Sequence, residues 1–267
     1  MEKLTILGTG SAMVTKCYNT CFTISDGNEH FLVDAGGGNT ILTNLEKSNI
    51  SVNQIHNMFI SHNHNDHILG SIWVIRLVAQ SILNDKYIDN LNIYCHRTSI
   101  DAIKTICSFV LQKKFLNLFD TRIIFNEINN NSVVDILGRK TTFFDIESTK
   151  DLQFGFKTCL LNGKSLTFLG DEPYKEGIKK YCENVDYLFH EAFCLYSQKE
   201  IFKPYEKHHA TAKDACKNAS ILNVKNVILY HTEDKNLEHR KVLYTAEGRE
   251  EFNGVIYVPD DLDTISM

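Results

Sequence analysis

The sequence predicts an α/β protein, one compact body of two similar layers around a shared core, and three observations predict it. Short runs rich in Ile, Val, Phe and Thr alternate with stretches whose apolar residues recur at helical offsets. The alternation occurs twice, in halves of approximately 1–145 and 146–267, with no Pro- or Ser-rich linker between them, so a single domain over residues 1–267 is expected. The composition, 43% hydrophobic and 23% charged with only 3 Pro in 267 residues, suits a globular chain with ample apolar surface. It excludes disordered, collagenous and small disulfide-stapled classes.

Taken in order, Leu4–Leu7, Cys21–Ser25, His30–Asp34 and Asn57–Ser61 read as strands. From Ile68 through Ile72, Ile75 and Val78 the spacing turns helical, as it does again from Ile100 to Leu111. Leu91–Cys95, Thr121–Phe125 and Thr141–Ile146 complete the strands of the first half. The second half supplies strands at Phe154–Leu160, Ser165–Leu169, Val185–His190 and Val224–His231, and helices near Tyr174–Cys182, Ala212–Leu222 and Leu237–Arg249. Thr211-Ala212-Lys213-Asp214 fits a capping box, which predicts a helix starting just after His209 and Ala210.

A formal net charge of −5 leaves no excess positive field to attract nucleic acid, so an anionic substrate would have to be held locally. The 8 cysteines include no CxxC pair and are expected to be reduced, mostly buried thiols. No basic region with a long apolar stretch opens the chain, and no window reaches the ~18 consecutive apolar residues of a membrane span. A cytoplasmic enzyme or binding protein without a membrane partner is the expectation. Apolar Phe109, Leu116 and Phe119 fit a homodimer surface or the core equally well.

Chemistry concentrates in Ser61-His62-Asn63-His64-Asn65-Asp66-His67, directly after a strand and before an amphipathic helix. His62 and His64 project to one side of an extended chain, and Asp66 and His67 sit on the turn entering the helix. Four ligand-type side chains therefore converge on neighbouring points, and imidazole with carboxylate suits zinc or a similar divalent ion.

HxHxDH after a strand resembles the signature of the metallo-β-lactamase superfamily, which implies an αββα four-layer sandwich with a metal site. Phe31-Leu32-Val33-Asp34-Ala35-Gly36-Gly37 looks like that family's first motif, whose Asp orients a ligand histidine. Phe168-Leu169-Gly170-Asp171 looks like the motif with the metal-bridging Asp, and Ile228-Leu229-Tyr230-His231 like the one supplying the last His. The resemblance narrows toward ribonuclease Z-like phosphodiesterases through Leu7-Gly8-Thr9-Gly10-Ser11, His190-Glu191-Ala192-Phe193 and His209-Ala210-Thr211-Ala212.

The sequence leaves the family's pattern in two places. Where the family carries a His before a short Gly-aromatic strand, this chain has Glu147 in Asp145-Ile146-Glu147-Ser148-Thr149-Lys150, ahead of Phe154-Gly155-Phe156. Glu147 either substitutes as a ligand, favouring harder ions such as manganese or iron, or points elsewhere and weakens the first site. His96 lies too far upstream to replace it. Only 24 residues separate Glu147 from Asp171, which leaves no room for the tRNA-gripping arm of tRNA-processing members.

The resemblance thus implies a phosphodiesterase with two divalent metals, one on His62, His64 and Glu147, the other on Asp66, His67 and His231, with Asp171 bridging. His209 would protonate the leaving oxygen and Glu191 would fix its tautomer, His208 being the adjacent ambiguity. Asp66, Glu191 and His209 are the catalytic candidates, and a small phosphodiester or nucleic-acid-derived molecule is the expected substrate. The alternatives are a lactone, thioester or β-lactam hydrolase, and a metal-binding protein whose site is degenerate and non-catalytic.

Overall fold

Alternating short apolar strands and longer amphipathic helices build two seven-stranded sheets, each antiparallel at one end and parallel at the other. The structure, a computed structural model, describes residues 2–267. The described residues divide into two compact units, residues 2–8, 18–128 and 261–267 in the first and residues 9–17 and 129–260 in the second.

In the first unit β1 (Lys3–Gly8), β2 (Cys21–Ser25) and β3 (His30–Val33) form an antiparallel meander. After α1 (Thr40–Lys47) the chain becomes parallel: β4 (Asn57–Phe59), β5 (Leu91–Cys95) and β6 (Ile123–Glu127) add in turn beside β3. The crossovers are α2 (Asn65–Leu83), then α3 (Arg97–Val110) with the short α4 (Lys113–Leu116). Leu32, Met58, Ile75, Val78, Ile93 and Phe115 pack in the core between helices and sheet. α2 is long and apolar enough to cross a membrane, but 61% of its apolar window is buried in this core.

In the second unit β7 (Val133–Ile136), β8 (Arg139–Asp145), β9 (Phe154–Cys159) and β10 (Ser165–Phe168) run antiparallel. The short α5 (Lys179–Cys182) precedes β11 (Tyr187–Glu191), which is parallel to β10. α6 (Lys199–Phe202) and α7 (Ala212–Ile221) lead to β12 (Asn226–Tyr230), and α8 (Arg240–Gly248) leads to β13 (Val255–Tyr257), both parallel additions. The capping box holds, since Asp214 N donates to Thr211 Oγ1 at 3.2 Å and Thr211 N to Asp214 Oδ2 at 3.1 Å. Finally β14 (Thr264–Ser266) pairs with β1 at the edge of the first sheet.

The unit change falls at residues 128/129, not near 145 as the sequence suggests. The reason is pairing: β7 and β8 hydrogen-bond into the second sheet, so the strand read at Thr141–Ile146 belongs with β9 and the rest of the second unit. The helix expected over Tyr174–Cys182 shrinks to a 3₁₀ turn at Glu176–Ile178 and one α-helical turn. Of the cysteines, Cys159 is exposed, Cys17 half-buried and the rest buried, all as free thiols. Phe109 is exposed, whereas Leu116 and Phe119 lean on the first unit's core.

The parallel arrangement decides where chemistry can sit. Residues just beyond the C-terminal ends of parallel strands in an open α/β sheet face the crevice where ligands bind. In the first unit these are Asp34 after β3 and Ser61 and His62 after β4, and in the second Asp171 after β10, Glu191 closing β11, and His231 after β12.

Candidate metal centre

Two neighbouring loops assemble the first unit's ligand-type cluster. Asp34 N donates to Phe59 O at 2.8 Å, which draws the end of β3 against the end of β4. His64 is the N-cap of α2, whose first turn therefore carries Asp66 and His67 inward while His62 and His64 remain on extended chain. α2 also packs directly on the loop after β3. Ala35 N donates to His67 O at 3.0 Å and Gly70 N to Gly36 O at 2.8 Å. A Cβ on Gly70 would fall 1.8 Å from Ala35 O, so only glycine permits that approach.

The result is a compact imidazole cluster. The His62 ring lies 4.4 Å from that of His64 and 4.2 Å from that of His67. His62, Asp66 and His67 are buried and His64 is half-buried. Asp66 Oδ2 is 3.4 Å from His67 Nε2.

Hydrogen bonding behind the cluster orders its protons. The Asp34 carboxylate accepts from Ser61 N, from Ser61 Oγ and from His67 Nδ1, each at 2.8 Å. The Ser61 hydroxyl proton is thus committed to Asp34, and its remaining lone pair accepts from His62 Nδ1 at 2.9 Å. Both His62 and His67 then carry hydrogen on Nδ1 and offer Nε2 as a lone pair, the form a metal requires. Burial opposes charge on His67, but Asp66 and Asp34 outweigh it and raise its pKa well above the ordinary value.

In the second unit Asp171, His209 and His231 each place a ligand atom within 4.8 Å of the other two. Asp171 follows Gly170, whose φ of 72° turns the chain out of the sheet. The Tyr230 hydroxyl, at the end of β12, donates to Gly170 O. His231, with φ 56°, turns similarly after β12. The next residue is clamped, since Thr232 N donates to Thr9 O and the buried Arg240 donates to Thr232 Oγ1 at 2.6 Å and Thr9 Oγ1 at 3.1 Å. The Gly-Thr-Gly turn therefore serves to brace the His231 loop.

His209 Nδ1 lies 3.6 Å from Asp171 Oδ1 and 3.5 Å from Glu191 Oε2. Its ring stacks on Phe193 at 5.0 Å and 22°. Glu191 is fully buried and accepts from Ala210 N through Oε1. Burial, with Asp171 adding, raises its pKa well above the usual carboxylate value against the opposing influence of Ala210 N, His231 and Lys150. His208 is exposed, bonded to Thr149 Oγ1, and stands outside the cluster. His190 is structural. Its Nδ1 donates to Glu191 O at 2.7 Å and its Nε2 accepts from Asn218 Nδ2 and Tyr174 N, and burial lowers its pKa to about 4.

Glu147 stands apart from these residues. It is exposed, at φ 59°, and its carboxylate lies where a Cβ of Gly177 would be, 2.1 Å from Oε1, outside every metal-type cluster among the described residues. The left-handed turn swings its side chain toward Gly177, away from those clusters. His96, as expected, plays no such part: it is the N-cap of α3 and pairs with the hydroxyls of Thr98 and Ser99. Reading the sequence missed Ser61, Lys150, Glu172 and Arg240. Ser61 had a signal, a small hydroxyl directly before the first ligand histidine, whereas nothing local marks Arg240.

The donor set fits divalent metal, with neutral-imidazole nitrogens and carboxylates on the buried side of both units. Residues 2–252 match the family model described as Anti-Pycsar protein Apyc1. Ribonuclease Z of Thermococcus sibiricus is 25% identical over 100% of this chain and 97% of its own length. That of Picrophilus torridus is 25% identical over 86% and 85% respectively. Among solved structures, the metallo-β-lactamase fold protein YhfI from Bacillus subtilis gives a TM-score of 0.81 at 15% identity, covering 99% of this chain and 98% of that one. The short form of human tRNase Z gives 0.76 at 21% identity over the same shares. The fold is thereby the αββα sandwich of the metallo-β-lactamase type.

Proposed function

The chain belongs to the Anti-Pycsar protein Apyc1 family, a group of cyclic nucleotide phosphodiesterase-like hydrolases, and on that premise we propose that it is a metal-dependent phosphodiesterase acting on small nucleotide-derived diesters. The observation that carries the reading is His209, buried, stacked on Phe193 and within 3.6 Å of both Asp171 and Glu191. Cleaving a diester expels an alkoxide that needs a proton. A lactone or thioester hydrolase has no comparable use for such a backed histidine.

The first unit would offer His62, His64, Asp66 and His67 to divalent ions, and the second Asp171 and His231. Ions there supply neutralisation of phosphoryl charge and a lowered pKa for water. With Glu147 outside the set, the imidazole-rich donors suit zinc.

The chain's own groups do the remainder. Asp34 and Ser61 keep His62 and His67 in the tautomer that presents Nε2. Phe193 and the Ala210–Glu191 hydrogen bond hold the His209 ring and its carboxylate partner in place. His209 as imidazolium donates a proton to the departing oxygen, a step worth ~10²–10⁴-fold in rate. The hairpin β9–β10, joined by residues 160–164, fills the interval where tRNA-processing relatives are expected to carry an arm, which favours a small substrate.

The test is hydrolysis of bis-p-nitrophenyl phosphate and a panel of cyclic nucleoside monophosphates against a lactone panel, with and without chelator. Chelator-sensitive turnover of the diesters supports the reading. Turnover confined to lactones refutes it.

A further inference from the structure

The turn that carries Glu147 away delivers a different side chain to the cluster. Lys150 Nζ lies 3.4 Å from Asp171 Oδ1 and 3.4 Å from His209 Nε2. The backbone behind it is held at each step. The buried carboxylate of Glu172 accepts from Ser148 Oγ at 2.6 Å, Thr149 N at 3.1 Å and Lys150 N at 3.3 Å. Lys175 Nζ pairs with Glu172 at 2.8 Å and also donates to Glu147 O. Four consecutive residues, 147–150, are therefore tied to one half-buried ion pair, and the loop aims an ammonium at the carboxylate of the second unit's metal-type cluster.

An ammonium has no lone pair to give a metal. Beside Asp171 it supplies positive charge and repels a divalent ion from the same oxygen.

We propose that Lys150 is a resident cation standing in for one of two metals: its ammonium occupies the Asp171 side of the second unit's cluster of Asp171, His209 and His231, so that the chain holds one divalent ion rather than two, and there it neutralises a phosphoryl oxygen. This rests on the metallophosphodiesterase reading and refines how many ions that site holds.

The test is metal content, by elemental analysis after loading with zinc and dialysis. Wild type should retain about one ion per chain, Lys150→Arg about one, and Lys150→Met about two, because only the last removes the repelling charge. Lys150→Met combined with Asp171→Asn should return to about one, which locates the added ion. Two ions in wild type, or one in Lys150→Met, would overturn the proposal, and the wild-type count needs no variant to fold. Failure of the phosphodiesterase reading looks different: no diester turnover by any of these proteins while the metal counts hold.

Discussion

Asp34→Asn probes the proton order behind the metal ligands while changing almost no volume. Asp34 is 1% exposed and accepts three hydrogen bonds at 2.8 Å, two from Ser61 and one from His67. An amide keeps one oxygen for Ser61 N but presents NH₂ where Ser61 Oγ and His67 Nδ1 now donate. Two donors then face two donors, and the relief is to reverse both. His67 Nδ1 becomes an acceptor, moving its hydrogen to Nε2, and the freed Ser61 hydroxyl turns to His62 Nδ1 and moves that hydrogen likewise. Both imidazoles lose the lone pair that faces the metal. Loss of such an outer partner typically lowers metal affinity ~10–100-fold, or ~1.4–2.7 kcal/mol. Losing hydrogen bonds to a buried charge also costs the metal-free protein about 1.5–3 kcal/mol, which a denaturant melt in chelator reports separately. Zinc affinity would be measured by competition with a chromophoric chelator. An Asp34→Asn protein that binds zinc within about twofold of wild type would refute the tautomer argument.

The same structure sets three further outcomes. Gly70→Ala should push α2 off the loop after β3, costing at least ~1–3 kcal/mol of stability and weakening zinc binding, because no Cβ fits 1.8 Å from Ala35 O; a melt unchanged from wild type would contradict the packing. His209→Ala should slow hydrolysis of a diester with an alkoxide leaving group ~10²–10⁴-fold and slow a p-nitrophenolate diester far less, and equal losses would reassign His209 to positioning. For His190 the folded pKa is lowered to about 4 from an ordinary 6.5, so the unfolded chain takes up the proton first as pH falls. Its contribution is complete above pH ~6.5 and is lost between there and pH ~4, about 3 kcal/mol in all. Denaturant melts across that window should show a flatter acid loss in His190→Gln than in wild type.

The strands that stand between clear turn residues were legible, and β2 and β5 fall at the residues the pattern gives. Helices with long apolar stripes were legible too, although α2 begins at Asn65, three residues before its first apolar position, because His64 caps it. What escaped was short or edge-on. α1 offers only Ile41 and Leu45 as a buried apolar pair, and β13 and β14 are three-residue strands that pairing alone defines. Residue types and chain order singled out His62, His64, Asp66 and His67, which the first unit gathers, and Asp171, Glu191, His209 and His231, which the second gathers. Direction was another matter. The segment 145–150 was recognisable as the place of a missing ligand, but a positive φ at Glu147 and the Glu172–Lys175 pair, which lies more than twenty residues downstream, decide that Lys150 points in and Glu147 out. Backbone handedness and partners distant in sequence leave no local pattern to read.

The central claim is that this centre uses bound metal to add water to phosphorus, and one measurement meets it directly. A cyclic nucleoside monophosphate would be turned over in water labelled with heavy oxygen by zinc-loaded protein and by chelator-stripped protein, and the linear product weighed. The account predicts a single heavy oxygen in the product's phosphate, no turnover by the stripped protein, and recovery when zinc is returned. Undiminished turnover after stripping, or a product with the label on carbon, would contradict it.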